Sequence, residues 1–593
     1  MSTTLQKILL ISPEIPTGTY WSFKHALKFI RKKSAAMPPL GLITVAALMP
    51  ASTDFRLIDM NIEPLKDADI TWADAVFISA MTIQQKSFAT VVQRCHALHK
   101  LIVAGGPYVT VQHSSITNVD HLILGEAENT LELFLKDFAG QKALPIYAAA
   151  ATHPNLTSTV IPRFDLLKLS SYISMSIQYS RGCPFSCEFC DVWQIYGRIP
   201  RVKSAGNILA ELDALYRLGW NSEIFMVDDN FIGNRQKVKN ELLPALIEWQ
   251  NKHQHHFRFY TETSLDLASD EALLAAMRDA GFNAVFLGIE TPSNDSLKET
   301  GKLQNTAINM PAAIKKIQSY GLEVMGGFII GFDNDSENIF ERQIDFIQKA
   351  AIPKAMVGLL NAVPGTKLYH RLRQENRLLT DTISGSNTHC LTTNFLTKID
   401  PYLLKEGYKK VLDFLYGKHL KNYFARCSQL FDTLGDSPSL QQRSIRFRDL
   451  KTLIHSFILQ SCSCYGYQYL KFMLRNFLKH PRHFAATVRM SIEGHHFYII
   501  TRETLKMDKL STLLEDRYQM MVKKINVYSS TLSSNPSQKI AELKQLWHIK
   551  KTTFNRLKKK INKTHTDFRS DLIKRYTDLD QQLSQLIHQA LHC

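Results

Sequence analysis

The stretch Arg181-Gly-Cys-Pro-Phe-Ser-Cys-Glu-Phe-Cys190 sets three thiols within eight residues, at CxxxCxxC spacing, directly after the strand-like run Ser174 to Ser180. Three thiolates on one loop can hold three corners of a cubane iron–sulfur cluster and leave the fourth iron open to a ligand. An open iron implies reaction rather than storage. A structural zinc site is the other reading; it calls for a fourth Cys or His nearby, and the closest downstream cysteine is Cys390. Nine cysteines in 593 residues, an odd number with three close together, argue against a secreted disulfide framework and for a reducing compartment.

Outward from that loop, short apolar runs alternate with helical periods. Ser174 to Ser180, Glu223 to Val227, Arg258 to Thr263, Ala284 to Ile289, Val324 to Ile330 and Val357 to Asn361 read as six strands with helices between them. They predict a partial (β/α) barrel over residues 173–380, with its chemistry at the C-terminal strand ends. Before it, Ile8 to Ile11, Phe55 to Asp59, Ala75 to Ser79, Leu101 to Ala104 and His121 to Leu124 predict an N-terminal doubly wound α/β domain over residues 1–140. Residues 141–172, with Pro145, Pro154 and Pro162, read as a linker. After Pro401 aromatic-rich helical segments take over: Leu403 to Phe424, Phe447 to Leu459 and Tyr465 to Leu478. They predict a helical C-terminal domain over 381–510 and a basic helical arm over 511–593, a long polar helix or helical hairpin broken near Ser529 to Pro536, whose last part, Lys539 to Leu591, suits a coiled-coil-like arrangement.

The composition, 45% hydrophobic and 21% charged, is that of a globular protein and excludes a disordered chain. The longest apolar stretches fall short of the roughly 20 residues a spanning helix needs, and Met1 to Lys7 run straight into the first strand, so a cytoplasmic protein is expected. Of the net charge of +17, residues 401–593 contribute +18, from 33 Lys+Arg against 15 Asp+Glu. An anionic partner for that half, a membrane surface or nucleic acid, and a merely solvated helical surface are the competing readings.

The cysteine segment, with Arg181-Gly182 ahead of it and Phe189 directly before the last cysteine, resembles the signature of the radical S-adenosylmethionine (SAM) superfamily. The resemblance implies a 4Fe-4S cluster on Cys183, Cys187 and Cys190, with SAM chelating the open iron and cleaved reductively to a 5′-deoxyadenosyl radical. Phe189 is then expected near the adenine, or else in ordinary core. Later strand ends match the family in order. Val227-Asp-Asp-Asn-Phe231 would set Asp228 and Asp229 near the amino group of SAM. Thr261-Glu-Thr-Ser264 puts Glu262 where a polar residue contacts ribose or carboxylate. Glu290 closes Gly288-Ile-Glu290, and Gly326 and Gly327 of Gly326-Gly-Phe-Ile-Ile-Gly331 would let backbone approach the adenine. A zwitterionic sulfonium ligand needs carboxylates for its cationic parts and glycine where the chain comes close. Asp228, Asp229 and Glu290 also read as strand-end caps or surface charges.

Asp191-Val-Trp-Gln-Ile-Tyr-Gly-Arg-Ile-Pro-Arg-Val-Lys203 and Asp228-Asp-Asn-Phe-Ile-Gly-Asn234 are similar to one subgroup of cobalamin-type radical SAM proteins, which includes C-methylases of hopanoids and bacteriochlorophyll side chains. Arg198, Arg201 and Lys203 would position an anionic ligand group or form a solvated loop. The N-terminal domain resembles that subgroup's cobalamin-binding domain through Met37-Pro-Pro-Leu-Gly-Leu42, Asp59-Met-Asn61, Ser79-Ala-Met-Thr82, Ala104-Gly-Gly-Pro107 and Gly125-Glu-Ala-Glu128, which makes Asp59, Asn61, Ser79, Gly105 and Gly106 candidate cobalamin contacts. Domains that ligate cobalt carry DxHxxG; here Asn61 stands for the His and Pro64 for the Gly, so bound cobalamin is expected to have no histidine below it. Residues of about 390 to 505 resemble the subgroup's helical C-terminal domain, around His480-Pro-Arg-His-Phe484 and Gly494-His-His-Phe497. The resemblance implies a methyltransferase that methylates an unactivated carbon of a lipid, isoprenoid or tetrapyrrole. Its expected partners are a small-molecule or lipid-like substrate, an electron donor such as flavodoxin or ferredoxin, and a membrane's inner face touched peripherally by the basic C-terminal region. The competing expectation is a radical SAM enzyme that modifies RNA, or another substrate, without cobalamin. No protein general base is singled out.

Overall fold

Strand β1 (Lys7–Ser12) is buried from Ile8 to Ser12, as a central strand must be when parallel neighbours flank it and helices cover both faces. It pairs with β2 (Asp54–Asp59) on one side and β3 (Ala75–Ser79) on the other, and β4 (Leu101–Gly105), β5 (His121–Leu124) and β6 (Ile146–Ala148) follow in order. All five pairings are parallel. The order β2-β1-β3-β4-β5-β6 reverses at β1, so the crevice that such sheets offer a ligand opens beyond the C-terminal ends of β1 and β3. Strand β6 falls inside the stretch read as linker. It is a three-residue edge strand after Pro145, too short to leave a pattern.

The computed structural model describes residues 5–30, 32–148, 153–379, 390–434, 447–530, 536–564 and 566–592; the domain boundary expected at 380/381 lies outside them. The chain splits into two compact units, Met1–Phe497 and Tyr498–Cys593.

In the first unit, β7 (Ser174–Ile177) begins a second parallel sheet. A two-stranded ladder of β8 (Ser180–Arg181) with β9 (Arg201–Val202) brackets the cysteine loop. Then β10 (Glu223–Met226), β11 (Arg258–Thr263), β12 (Phe282–Glu290), β13 (Glu323–Ile330) and β14 (Ala355–Leu359) complete six strands in the order β14-β13-β12-β11-β10-β7. This is an incomplete barrel, and unpaired outer edges are costly. Ser34 to Ala36 run beside β7, with Ser174 N–H donating to Ala36 O at 3.0 Å. On the far side, the Tyr416 hydroxyl accepts from Ala355 N at 2.9 Å and the Tyr408 hydroxyl donates to Val357 O at 2.8 Å. Both tyrosines come from helix Pro401–Tyr416, so an aromatic helix of the C-terminal region finishes the edge of the sheet.

The run Leu403 to Phe424, expected as one helix, is two, Pro401–Tyr416 and Lys421–Thr433. They part at Gly417, where an added Cβ would stand 2.2 Å from Asp413 O, and at Leu420, which has a φ of 49°. The end of helix Phe484–Ser530 packs with helices Pro536–Asn562 and Thr566–His592 around a core that includes Leu514, Met521, Phe554, Leu557, Leu579 and Leu583.

Candidate active site

The cysteine loop leaves β7 under the control of Asp228. Its buried carboxylate accepts from the backbone N–H groups of Tyr179, at 3.3 Å, and Ser180. Two residues on, Gly182 has φ of 97°, and a Cβ there would lie 2.9–3.1 Å from the carbonyl oxygens of Gly197, Ile199 and Tyr196; only glycine fits that turn. Cys183 N–H donates to Gly197 O at 3.2 Å, Cys190 N–H to Cys187 O at 3.2 Å, and the Trp193 indole N–H to Cys187 O at 3.2 Å. Glu188, between the cysteines, receives Arg371 at 2.6 Å.

The flanking arginines are held from the other domain. Glu126 and Glu128, just past β5, take the Arg181 guanidinium at 2.7 and 2.8 Å, and Glu126 also binds Arg201 at 2.8 Å and His153 at 2.8 Å. Glu126 and Arg181 are nearly buried, where charge-assisted, multidentate contacts are strongest. The N-terminal sheet and the cysteine loop are thereby locked together. Arg201 and Lys203 are not free to meet an anionic ligand, since Arg201 is spent on Glu126 and Lys203 on the buried Glu211.

Cys187 is buried, Cys183 and Cys190 half-buried. Burial raises all three thiol pKa values, with mutual repulsion through Cys187 adding to the effect at Cys183 and Cys190. Cationic iron would supply the positive charge these thiolates lack. No three His, Cys, Asp or Glu side chains among the described residues converge as on a single ion; a cubane requires no such convergence, because each thiolate takes a different iron. Lys302 stands beside the thiols. Burial alone would lower its pKa, but Glu290, at 2.7 Å, and the charges of Cys187 and Cys190 raise it. Glu290 is therefore engaged by lysine. It sits at φ of 64° next to a bulge in β12, a strained backbone of the kind that concentrates at functional sites. Gly288 makes room for the pair, since a Cβ would meet Glu290 Oε1 at 2.6 Å.

Asp229 and Glu262 differ from these. Neither has a hydrogen-bond or ion-pair partner for its carboxylate among the described residues, and the charge of Asp229 is felt at Glu262. Burial raises Asp229 to about 7, with Asp228 and Asp191 adding repulsion, and raises Glu262 to about 8, with Asp229 and Asp228 adding theirs. Asp228 is raised to about 6, chiefly by burial. Uncompensated buried carboxylates are costly, so this end of the barrel suits a cationic ligand such as SAM, with its ammonium and sulfonium. Gly326 and Gly327 have their space taken by protein: a Cβ on Gly326 would strike the Phe328 ring at 2.7 Å, one on Gly327 the Phe286 ring at 3.1 Å. Phe189 packs 6.1 Å from Phe332 at the rim of a core cluster.

At the crevice end of the N-terminal sheet, Asp59 is buried and accepts from Asn61 Nδ2 at 2.7 Å and from Tyr172 Oη at 3.0 Å. Asn61 Oδ1 accepts from Ile15 N–H at 2.8 Å. Both side chains are turned into the protein, which fits a corrin whose cobalt takes no protein ligand from this edge. The smallness of Ser79, Gly105 and Gly106 is used in packing: Gly106 has φ of 93°, and a Cβ would meet Ser79 Oγ at 2.5 Å.

Sequence reasoning missed Glu126, Glu128, Arg181, Lys302 and Arg371 as members of the site. The pieces Gly125-Glu-Ala-Glu128 and Arg181-Gly182 were in view; their pairing was not.

Three family models match the chain: the B12 binding domain over residues 30–135, the radical SAM superfamily over 177–347, and a domain of unknown function, DUF4070, over 366–509. An uncharacterized methyltransferase of Synechocystis sp. is 43% identical, over 72% of this chain and 79% of its own length. The hopanoid C-2 methylase of Rhodopseudomonas palustris is 36% identical, over 65% of this chain and 74% of its own. Among solved structures, the cobalamin-dependent SAM radical enzyme OxsB, with aqua-cobalamin and SAM bound, matches in fold with a TM-score of 0.55, covering 92% of this chain and 84% of that one at 14% identity.

Proposed function

The chain belongs to the B12-binding-domain family of radical SAM methyltransferases, and from that membership we propose that it methylates an unactivated carbon of a lipid-like small molecule, an isoprenoid or a tetrapyrrole. The radical SAM domain implies a 4Fe-4S cluster and SAM, and the B12-binding domain supports cobalamin. Once bound, these groups supply hydrogen abstraction and methyl delivery, the chemistry no amino-acid side chain provides.

The protein's own residues supply placement. Cys183, Cys187 and Cys190 would hold the cluster, and Lys302 would offset part of the thiolate charge. Asp229 and Glu262 would receive the ammonium and sulfonium of SAM; their lack of partners is the observation that carries this reading. Asp228 shapes the loop from behind rather than touching the ligand. Glu126 and Glu128, through Arg181 and Arg201, fix the cobalamin edge relative to the cluster loop, and misplacement by an ångström there would slow the reaction steeply. Phe225 and Tyr260, stacked at 4.7 Å, and Trp21 against Phe286 at 5.5 Å give the barrel aromatic walls that exclude water and suit an apolar substrate. The same reading calls for an external electron donor such as flavodoxin or ferredoxin, and for peripheral contact with the membrane where a lipid-like substrate resides.

Replacing one ligand tests the cluster assignment. Cys187→Ala, reconstituted with iron and sulfide under anaerobic conditions, is expected to lose SAM cleavage while its circular dichroism stays that of the unsubstituted protein. Retained cleavage would refute the assignment.

A further inference from the structure

Helix Phe447–Ser461 is inside out. From Leu450 onward its buried positions are polar: Ser456 and Gln460 are fully buried, with Gln460 Nε2 donating to Ser456 Oγ at 2.8 Å. Its outward row is Leu450, Ile454, Phe457 and Ile458, at the i, i+4, i+7, i+8 spacing of one helical stripe. The next helix, Gly466–Lys479, buries Tyr469, Phe472, Met473 and Asn476 and presents a second outward stripe, Leu470, Leu474, Phe477 and Leu478, at the same spacing. Of these eight, Leu470 is the least exposed at 40% and Leu478 the most at 70%. The two helices pack on each other, and Tyr469 Oη lies 3.3 Å from Ser456 Oγ between them. Isolated exposed leucines are ordinary, but an exposed apolar row on each of two packed helices marks an interaction surface.

Charge decides what covers it. From Leu450 to Arg482 the chain carries five Lys/Arg and no Asp/Glu. Lys471, Arg475 and Lys479 each follow an outward leucine or its equivalent by one position, so a basic row runs beside the apolar one. Arg475 and Lys479 reach Asp432 at 3.8 and 2.6 Å, while Lys471 has no ion pair among the described residues. Apolar and basic rows side by side are the pattern of a helix lying in the headgroup layer of an anionic bilayer. No helix among the described residues is long and apolar enough to cross a membrane. We propose that this hairpin docks on the surface of an anionic lipid bilayer, its leucine, isoleucine and phenylalanine stripes inserted and Lys471 at the phosphates. His455 of the first helix lies 5.4 Å from Phe29, in the same N-terminal segment whose Trp21 reaches Phe286 of the barrel. The docking face thus adjoins the segment that walls the candidate substrate space. The inference deepens the lipid-like-substrate reading, yet its test does not depend on turnover.

The full-length chain is centrifuged with vesicles of mixed phosphatidylglycerol and phosphatidylcholine, and with phosphatidylcholine vesicles alone. It is expected to sediment with the anionic vesicles and to bind less as salt rises. The triple variant Leu474→Gln, Phe477→Gln, Leu478→Gln, exposed positions that leave the fold intact, should bind about tenfold less or weaker still. Phe477→Trp should shift its emission to the blue on vesicle addition. Undiminished binding by the triple variant would overturn the proposal in favour of purely electrostatic attachment. A chain that ignores vesicles but forms a dimer which the triple variant dissociates would overturn it in favour of a second copy as the occupant. SAM cleavage by the triple variant, measured without lipid, should match that of the unsubstituted chain, which separates failure here from failure of the cofactor reading.

Discussion

Glu262 and Asp229 carry the ligand argument at the scale of single residues, because each is a carboxylate in a largely buried site with no hydrogen-bond or ion-pair partner among the described residues. Glu262→Gln keeps the shape but removes the carboxyl group that a bound cation would hold ionised. We expect SAM to bind the reconstituted protein about tenfold more weakly, a loss of about 1.4 kcal/mol, by isothermal titration under anaerobic conditions; unchanged affinity would mean the carboxylate does not face the ligand. Asn61 gives the opposite expectation. With its amide already spent on Ile15, Pro13 and Asp59, Asn61→Ala should leave the absorption spectrum of bound cobalamin unchanged, and a shifted spectrum would show that the side chain meets cobalt. The cysteine spacing, the acids at strand ends and the glycines were legible because such signals are local. The clamp of Glu126 and Glu128 on Arg181 was not, because its partners are 53 to 55 residues apart and belong to different sheets. The glycines were legible as positions but not in purpose, since Gly106 and Gly326 make room for protein atoms.

Among the elements, the part of helix Phe484–Ser530 that lies in the first unit meets the barrel through a buried ion cluster. Arg489 meets Glu323 at 2.5 Å and Glu493 at 2.9 Å, and Lys354 meets the same two acids at 3.2 and 3.4 Å. Burial would raise the Glu323 pKa, but Arg489 and then Lys354 outweigh it and lower the value to about 2. A group with its folded pKa depressed below the ordinary 4.5 stabilises the fold above that value, and the contribution is lost as pH falls from about 4.5 toward about 2. Stability should therefore fall as the pH is lowered across that window. Arg489→Ala, which leaves the buried Glu323 with Lys354 as its remaining cation, should cost up to about 3 kcal/mol in urea titration at neutral pH and flatten the acid limb; a loss within error of zero would contradict the account. The strands were legible because β-runs in a covered parallel sheet are short and wholly apolar, as in Ile8 to Ile11. What escaped was one edge strand, a helix break and the second unit's bundle, each set by packing: Gly417 against Asp413, and Phe554 against Tyr576 at 5.6 Å.

For the whole molecule, the domain sequence of B12-binding domain, radical SAM barrel and helical region matches the reading of alternating strands followed by aromatic helices. The two open edges of the six-stranded sheet explain why the pieces cannot be read singly, since Ser34 to Ala36 cover one edge and Tyr408 and Tyr416 the other. The excess positive charge was legible as a C-terminal property. Its interleaving with apolar residues was legible in Tyr469 to His483, whereas the outward apolar row of helix Phe447–Ser461 was not, because inside and outside on that helix are exchanged. The most direct test of the central claim is anaerobic reconstitution of the full chain with iron, sulfide and cobalamin, followed by measurement of bound iron, the cobalamin spectrum and 5′-deoxyadenosine released from SAM under reductant. Cluster-level iron, bound cobalamin and reductant-dependent 5′-deoxyadenosine are the predicted result; a chain that binds neither group, or cleaves no SAM when loaded with both, would contradict it.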